Sequence, residues 1–66
     1  MKITLNGKAL NLEAPLNLYD VIEQQGYVEM LIAVARNGEF VPKTNYKDTD
    51  LQDGDDLEIV SPQQGG

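Results

Sequence analysis

The residues with the clearest chemical use are the last four, Gln63-Gln64-Gly65-Gly66. Two glycines running to a carboxylate make a tip without side chains. Glycine lacks a Cβ, so such a tip adopts conformations closed to other residues and lets another backbone approach closely. Extended, the four residues reach roughly 13 to 14 Å, enough to enter a narrow active-site channel of another protein while the rest of the chain stays outside. Composition alone does not separate this use from an incidental frayed end. The tip follows directly on a turn and strand, Asp53-Gly54-Asp55-Asp56-Leu57-Glu58-Ile59-Val60-Ser61.

Other chemistry is sparse. The chain has no cysteine and no histidine, which removes a thiolate nucleophile, a disulfide, a zinc-cysteine site and an imidazole base. No triad, phosphate loop or paired-acid site with a base beside it occurs, so the chain reads as a non-enzyme without a bound cofactor. Asp48, Asp50, Asp53, Asp55, Asp56 and Glu58 crowd the approach to the tip, with Lys47 as their only offset. They read either as a solvated, aspartate-rich turn or as an electrostatic guide toward a positively charged partner. Their spacing does not match a calcium loop, so no metal site is expected.

With 66 residues the chain suffices for one domain, near the lower limit for a core that folds without staples. A 41% hydrophobic content suits a globular domain. The net charge of −6 argues against nucleic acid, whose phosphates repel an acidic surface. The longest apolar run, Met30 to Ala35, is far short of a membrane span, and no signal peptide precedes the first strand. The expectation is a soluble, cytoplasmic protein with partners among proteins.

The elements that would position the tip read off in order. Ile3 and Leu5 alternate with Lys2 and Thr4, giving a half-buried strand. Asn6-Gly7 is a two-residue hairpin signal, and Leu10 and Leu12 mark the returning strand, which Pro15 ends. Asn17 is a helix N-cap with Asp20 in the first turn. Leu18, Val21 and Ile22 form the buried stripe of a two- to three-turn helix, and Gly26 stops it. Tyr19 and Tyr27 cover core edges. Met30 to Ala35, apolar on both parities, reads as a central third strand, with size favouring Ile32 and Val34 as the inward side chains. Asn37-Gly38 turns it into Glu39-Phe40-Val41, an edge strand closed by Pro42. Residues 43–52 read as an irregular crossover with a short helical turn. The last strand has Leu57 and Ile59 inward, Glu58 and Val60 outward. This order gives an α+β layer arrangement: a mixed sheet of four to five strands with one main helix on one face.

Over essentially its whole length, the chain resembles the ThiS/MoaD family of ubiquitin-like β-grasp sulfur carriers, most closely its thiamine-pathway members. The resemblance rests on Met1-Lys2-Ile3-Thr4-Leu5-Asn6-Gly7, Ala33-Val34-Ala35-Arg36-Asn37-Gly38, Val41-Pro42-Lys43, and Leu51 to Val60 running to Gln64-Gly65-Gly66. Arg36 departs from the apolar residue such carriers often have there. The resemblance implies a β-grasp domain over residues 1–62 and a flexible tail over 63–66. It implies that Gly66 is adenylated and converted to a thiocarboxylate that donates sulfur for the thiazole ring of thiamine. Gly65 would give clearance, and Gln64 and Gln63 reach. The implied partners are an E1-like adenylating enzyme of the ThiF type, which uses ATP, a thiazole synthase of the ThiG type, and a cysteine desulfurase as the source of sulfur. Val60 and Glu58, with Phe40 and Tyr46, are the expected docking surface; Phe40 and Tyr46 serve equally well as closures of a small core. The alternatives are a carrier for the molybdopterin, tungsten-cofactor or cysteine pathway, a ubiquitin-like modifier, and a plain β-grasp interaction module.

Overall fold

The computed structural model describes residues 1–13, 16–27 and 31–61. Strands β1 (Lys2–Leu5) and β2 (Lys8–Asn11) precede helix α1 (Leu18–Gln24). Strands β3 (Ala33–Arg36) and β4 (Glu39–Val41), a 3-10 helix (Lys43–Asp48) and β5 (Asp56–Val60) follow. They form one five-stranded sheet in the order β2-β1-β5-β3-β4. The β1–β5 pair is parallel and the other three are antiparallel, so the sheet is mixed as expected.

Two Asn-Gly turns fix the registers. Asn6 and Gly7 have φ of 51° and 82°, Asn37 and Gly38 of 52° and 83°. Two successive positive φ values define the type I′ turn, whose twist matches that of the strands it joins. The second turn pairs Arg36 with Glu39 and thereby Val34 with Val41. Both of those valines are buried.

Asn17 caps α1 as expected. Its Oδ1 accepts the Asp20 N–H at 2.8 Å, and an Asp20 carboxylate oxygen accepts the Asn17 N–H at 3.3 Å. Leu18, Val21 and Ile22 are buried, and Gly26, with φ of 85°, follows the last turn. Seven residues are too few for intrinsic helix stability. Packing on the sheet holds the helix, together with two backbone bonds to the crossover, Leu18 N–H to Thr49 O at 2.8 Å and Leu51 N–H to Leu16 O at 3.0 Å.

Three expectations change. The third strand begins at Ala33 rather than Met30, which lies outside the described residues, and extends through Arg36. It is not the central strand; β5 is. Among the described residues the sheet is covered on one face only, so its central strand alternates, with Leu57 and Ile59 buried and Asp56, Glu58 and Val60 exposed. Continuous apolarity is the mark of a strand covered on both faces. The inward parity of β3 does follow size: Val34 is buried, Ile32 packs half-buried on the core, and Leu31 is exposed. Third, β2 ends at Asn11, and Leu12 enters the core beyond it, donating its N–H to Met1 O at 2.7 Å. Pro15, expected to end that strand, lies outside the described residues.

Candidate functional site: the end of the central strand and its open face

Strand parity builds the open face. In β5 the burial of Leu57 and Ile59 turns Glu58 and Val60 outward, and in β3 the burial of Val34 turns Ala33 and Ala35 the same way. In β4, Val41 is buried and Phe40 is outward. The register places Ala35 between Glu58 and Phe40, and Ala33 beside Val60. The alanines are short, so a shallow depression of about 140 Å³ remains, lined by Ala33, Val34, Ala35, Phe40, Glu58 and Val60. Phe40 is 70% exposed and Val60 57%, so two large apolar side chains face solvent on this one depression. Three of the four expected docking residues therefore come together.

Tyr46 does not join them. It lies in the 3-10 helix on the α1 side of the sheet, 6% exposed within the core. Burial pushes its phenol above the ordinary value of 10.0. The crossover must close the core beneath α1, and Tyr46 is its large apolar side chain. Tyr19 and Tyr27 cover the core edges, with the Lys47 ammonium 4.8 Å from the Tyr19 ring centre.

The acidic stretch is not uniformly solvated. Asp55 is 6% exposed and accepts three hydrogen bonds, from Arg36 Nε at 2.9 Å, Asn37 Nδ2 at 3.0 Å and the Gln52 N–H at 2.8 Å. Burial alone would raise its carboxyl, but these donors and the Arg36 charge outweigh burial and hold it below 3.8. Arg36 is thus the ionic partner of the buried Asp55. Asp53 accepts the Lys2 N–H at 2.7 Å, fastening the same turn to β1. Asp48, Asp50, Asp53, Asp56 and Glu58 remain exposed. Asn6, read from sequence only as a turn residue, also bonds to the β5 backbone at Ile59.

Gln63, Gln64, Gly65 and Gly66 lie outside the described residues. The structure does show where the chain departs toward them: from Val60, at the end of the central strand and on the rim of the open face. Among the described residues no cluster of acids could hold a metal ion, and no helix is long and apolar enough to cross a membrane.

The model of the ThiS family matches residues 3–66. The chain belongs to the ThiS family. Its fold is similar to the crystal structure of a thiamine biosynthesis protein (ThiS) from Geobacter metallireducens, with a TM-score of 0.83 and 25% identity, covering 92% of this chain and 93% of that one. A solution NMR structure of a thiamine biosynthesis protein from the same organism aligns with a TM-score of 0.77 and 25% identity, over 91% and 81% of the two chains. The β-grasp architecture expected of a ThiS-family chain is therefore the one observed. All 66 residues also align, at 38% identity, with a protein from Paramagnetospirillum magneticum named thiazole synthase. The chain spans about a fifth of the length of that relative.

Proposed function

We propose that this ThiS-family protein is a sulfur carrier for thiamine biosynthesis, a β-grasp domain over residues 1–62 presenting residues 63–66 as a tail with Gly66 at its reactive end. The observation that carries the reading is the family match reaching through Gly66 on a chain whose central strand ends at Val60, just before the tail. A terminal carboxylate has a pKa of about 3.3 to 3.7, so at neutral pH it is ionised and a poor acyl donor. ATP activates it: the Gly66 carboxylate attacks the α-phosphorus, pyrophosphate leaves, and an acyl-adenylate results. A sulfide sulfur then displaces AMP and leaves a thiocarboxylate on Gly66; where a persulfide is the nucleophile, loss of AMP gives an acyl disulfide, and a thiol reductant cleaves its S–S bond to release the same thiocarboxylate. This protein is the acyl group in both steps. The catalytic groups and the ATP site belong to an E1-like adenylating enzyme of the ThiF type, and the sulfur comes from cysteine through a desulfurase. Use of ATP puts the exchange in the cytoplasm.

The thiocarboxylate goes to a thiazole synthase. The similarity of this chain to one fifth of a protein named thiazole synthase supports that choice of acceptor. Phe40, Val60, Ala33 and Ala35, with Glu58 at their edge, form the surface for these transient contacts, an apolar patch at the end of β5 from which the chain runs on to the tail. Gly65 leaves clearance at both active sites, and Gln63 and Gln64 supply reach.

Intact mass spectrometry tests the proposal. Incubation with ATP, a ThiF-type enzyme and a sulfur donor gives a mass gain equal to exchange of one oxygen for sulfur, absent after removal of Gly66. Failure to gain that mass, with an enzyme shown active on another carrier, overturns it.

A further inference from the structure

The side of β5 that faces β1 is closed by an unusual device. Asn6 N–H donates to Leu57 O at 2.9 Å, the last backbone bond of the parallel β1–β5 ladder, and the chain then turns away into the Asn6-Gly7 hairpin. The next two ladder positions fall on Ile59, whose N–H and C=O both face the space β1 has vacated. The Asn6 carboxamide occupies it. Its Oδ1 accepts the Ile59 N–H at 2.8 Å and its Nδ2 donates to Ile59 O at 3.1 Å. A side-chain amide has the donor and acceptor of a peptide group, so Asn6 extends β1 by one peptide unit that the backbone does not supply. On its other side β5 pairs with β3 as far as Val60. Without the carboxamide, Ile59 and Val60 would be held from one side only.

We infer that Asn6 is a positioning residue for the tail: by fastening Ile59, it fixes the end of β5, the point from which the chain runs on to residues 63–66. This rests on the carrier reading above. A tail launched from a fixed strand end enters a partner's channel with less ordering to do on binding than one launched from a frayed end. The effect therefore falls on the apparent affinity of the activating enzyme for the carrier, not on the chemical step.

Asn6→Gly tests it, because the carboxamide is lost while glycine still accepts the positive φ of the turn. Asn17→Ala, which removes the helix cap on another part of the molecule, serves as a control for lost stability. All assays run below the melting transition of each variant. Asn6→Gly speeds hydrogen exchange of the Ile59 amide by about tenfold or more, as expected for an amide that has lost its acceptor. It raises the KM of a ThiF-type enzyme for the carrier by about five- to tenfold, with kcat within about twofold of wild type. Asn17→Ala leaves the KM unchanged and speeds exchange of the Ile59 amide only by the factor that it speeds every other core amide. Asn6→Asp keeps the acceptor for the Ile59 N–H, loses the donor, and falls between wild type and Asn6→Gly. An unchanged KM for Asn6→Gly, or an equal rise for Asn17→Ala, overturns the inference. If wild-type protein itself is never adenylated, the carrier reading fails and the positioning role falls with it, whatever the exchange rates show.

Discussion

Asp55 joins β3, the turn after it, the crossover and the approach to β5 through one buried carboxylate. Asparagine at this position keeps the shape but loses the charge and one acceptor facing Arg36 and the Gln52 N–H. Asp55→Asn is expected to cost about 1 to 3 kcal/mol in urea unfolding. Its pH dependence has a definite sign. The folded carboxyl lies below its ordinary 3.8, so its contribution is complete above the unfolded value and is lost as pH falls through the folded one. Wild-type stability should drop below about pH 4, and the Asp55→Asn profile should be flatter in that window. Phe40 and Tyr46 make a second contrast. Tyr46→Ala empties a buried site and should cost roughly 3 to 5 kcal/mol, close to the whole stability of so small a domain. Phe40→Ala, at an exposed site, should stay within about 0.5 kcal/mol. Thermal melts of the two variants separate them directly.

At the scale of elements, α1 is the part with least stability of its own. Asn17→Ala removes the cap and should lower stability by about 1 kcal/mol, or about 4 to 8 °C in Tm for a domain of this size. The hairpins and the helix were legible because each carries a local signal: Asn-Gly at both turns, a cap three residues before Asp20, alternation in β1 and β5. The rank of the strands was not legible in the same way. Met30 to Ala35 looked central because all its residues are apolar, yet whether apolar residues face a core or open water depends on which strands flank them, and pairing is long-range. Tyr46 illustrates the same limit. Its position in an aperiodic segment gave no facing, whereas that of Phe40 follows once the Asn37-Gly38 turn sets Val41 opposite Val34.

Among the described residues, one face of the sheet carries the core and the other is open, and the open one is the proposed contact surface. Replacing Phe40 and Val60 by serine should leave the Tm nearly unchanged and raise the KM of a ThiF-type enzyme by about tenfold or more, since central apolar contacts of an interface carry most of its energy. Steady-state adenylation with varied carrier measures it. The open face was legible in the sequence as far as Val60 and Glu58, because alternation in β5 gives their facing. Asn6 and Asp55 were not, since their roles are hydrogen bonds across 53 and 19 residues of chain, and no local pattern encodes those partners.

The parallel pairing of β1 with β5 has a consequence for how the molecule is made. The strand at the middle of the sheet is the last in sequence, and one neighbour is the first. A chain ending at residue 55 would leave β1 and β3 with open backbone edges and no Leu57 or Ile59 to close the core between them. Such edges are templates for pairing with other chains. Folding must therefore bring the two ends of the domain together before either half is stable, a slow closure compared with folding from local contacts. Fragments cut short of β5 should aggregate rather than persist as partly folded monomers, and the domain gains its solubility and its structure in the same step.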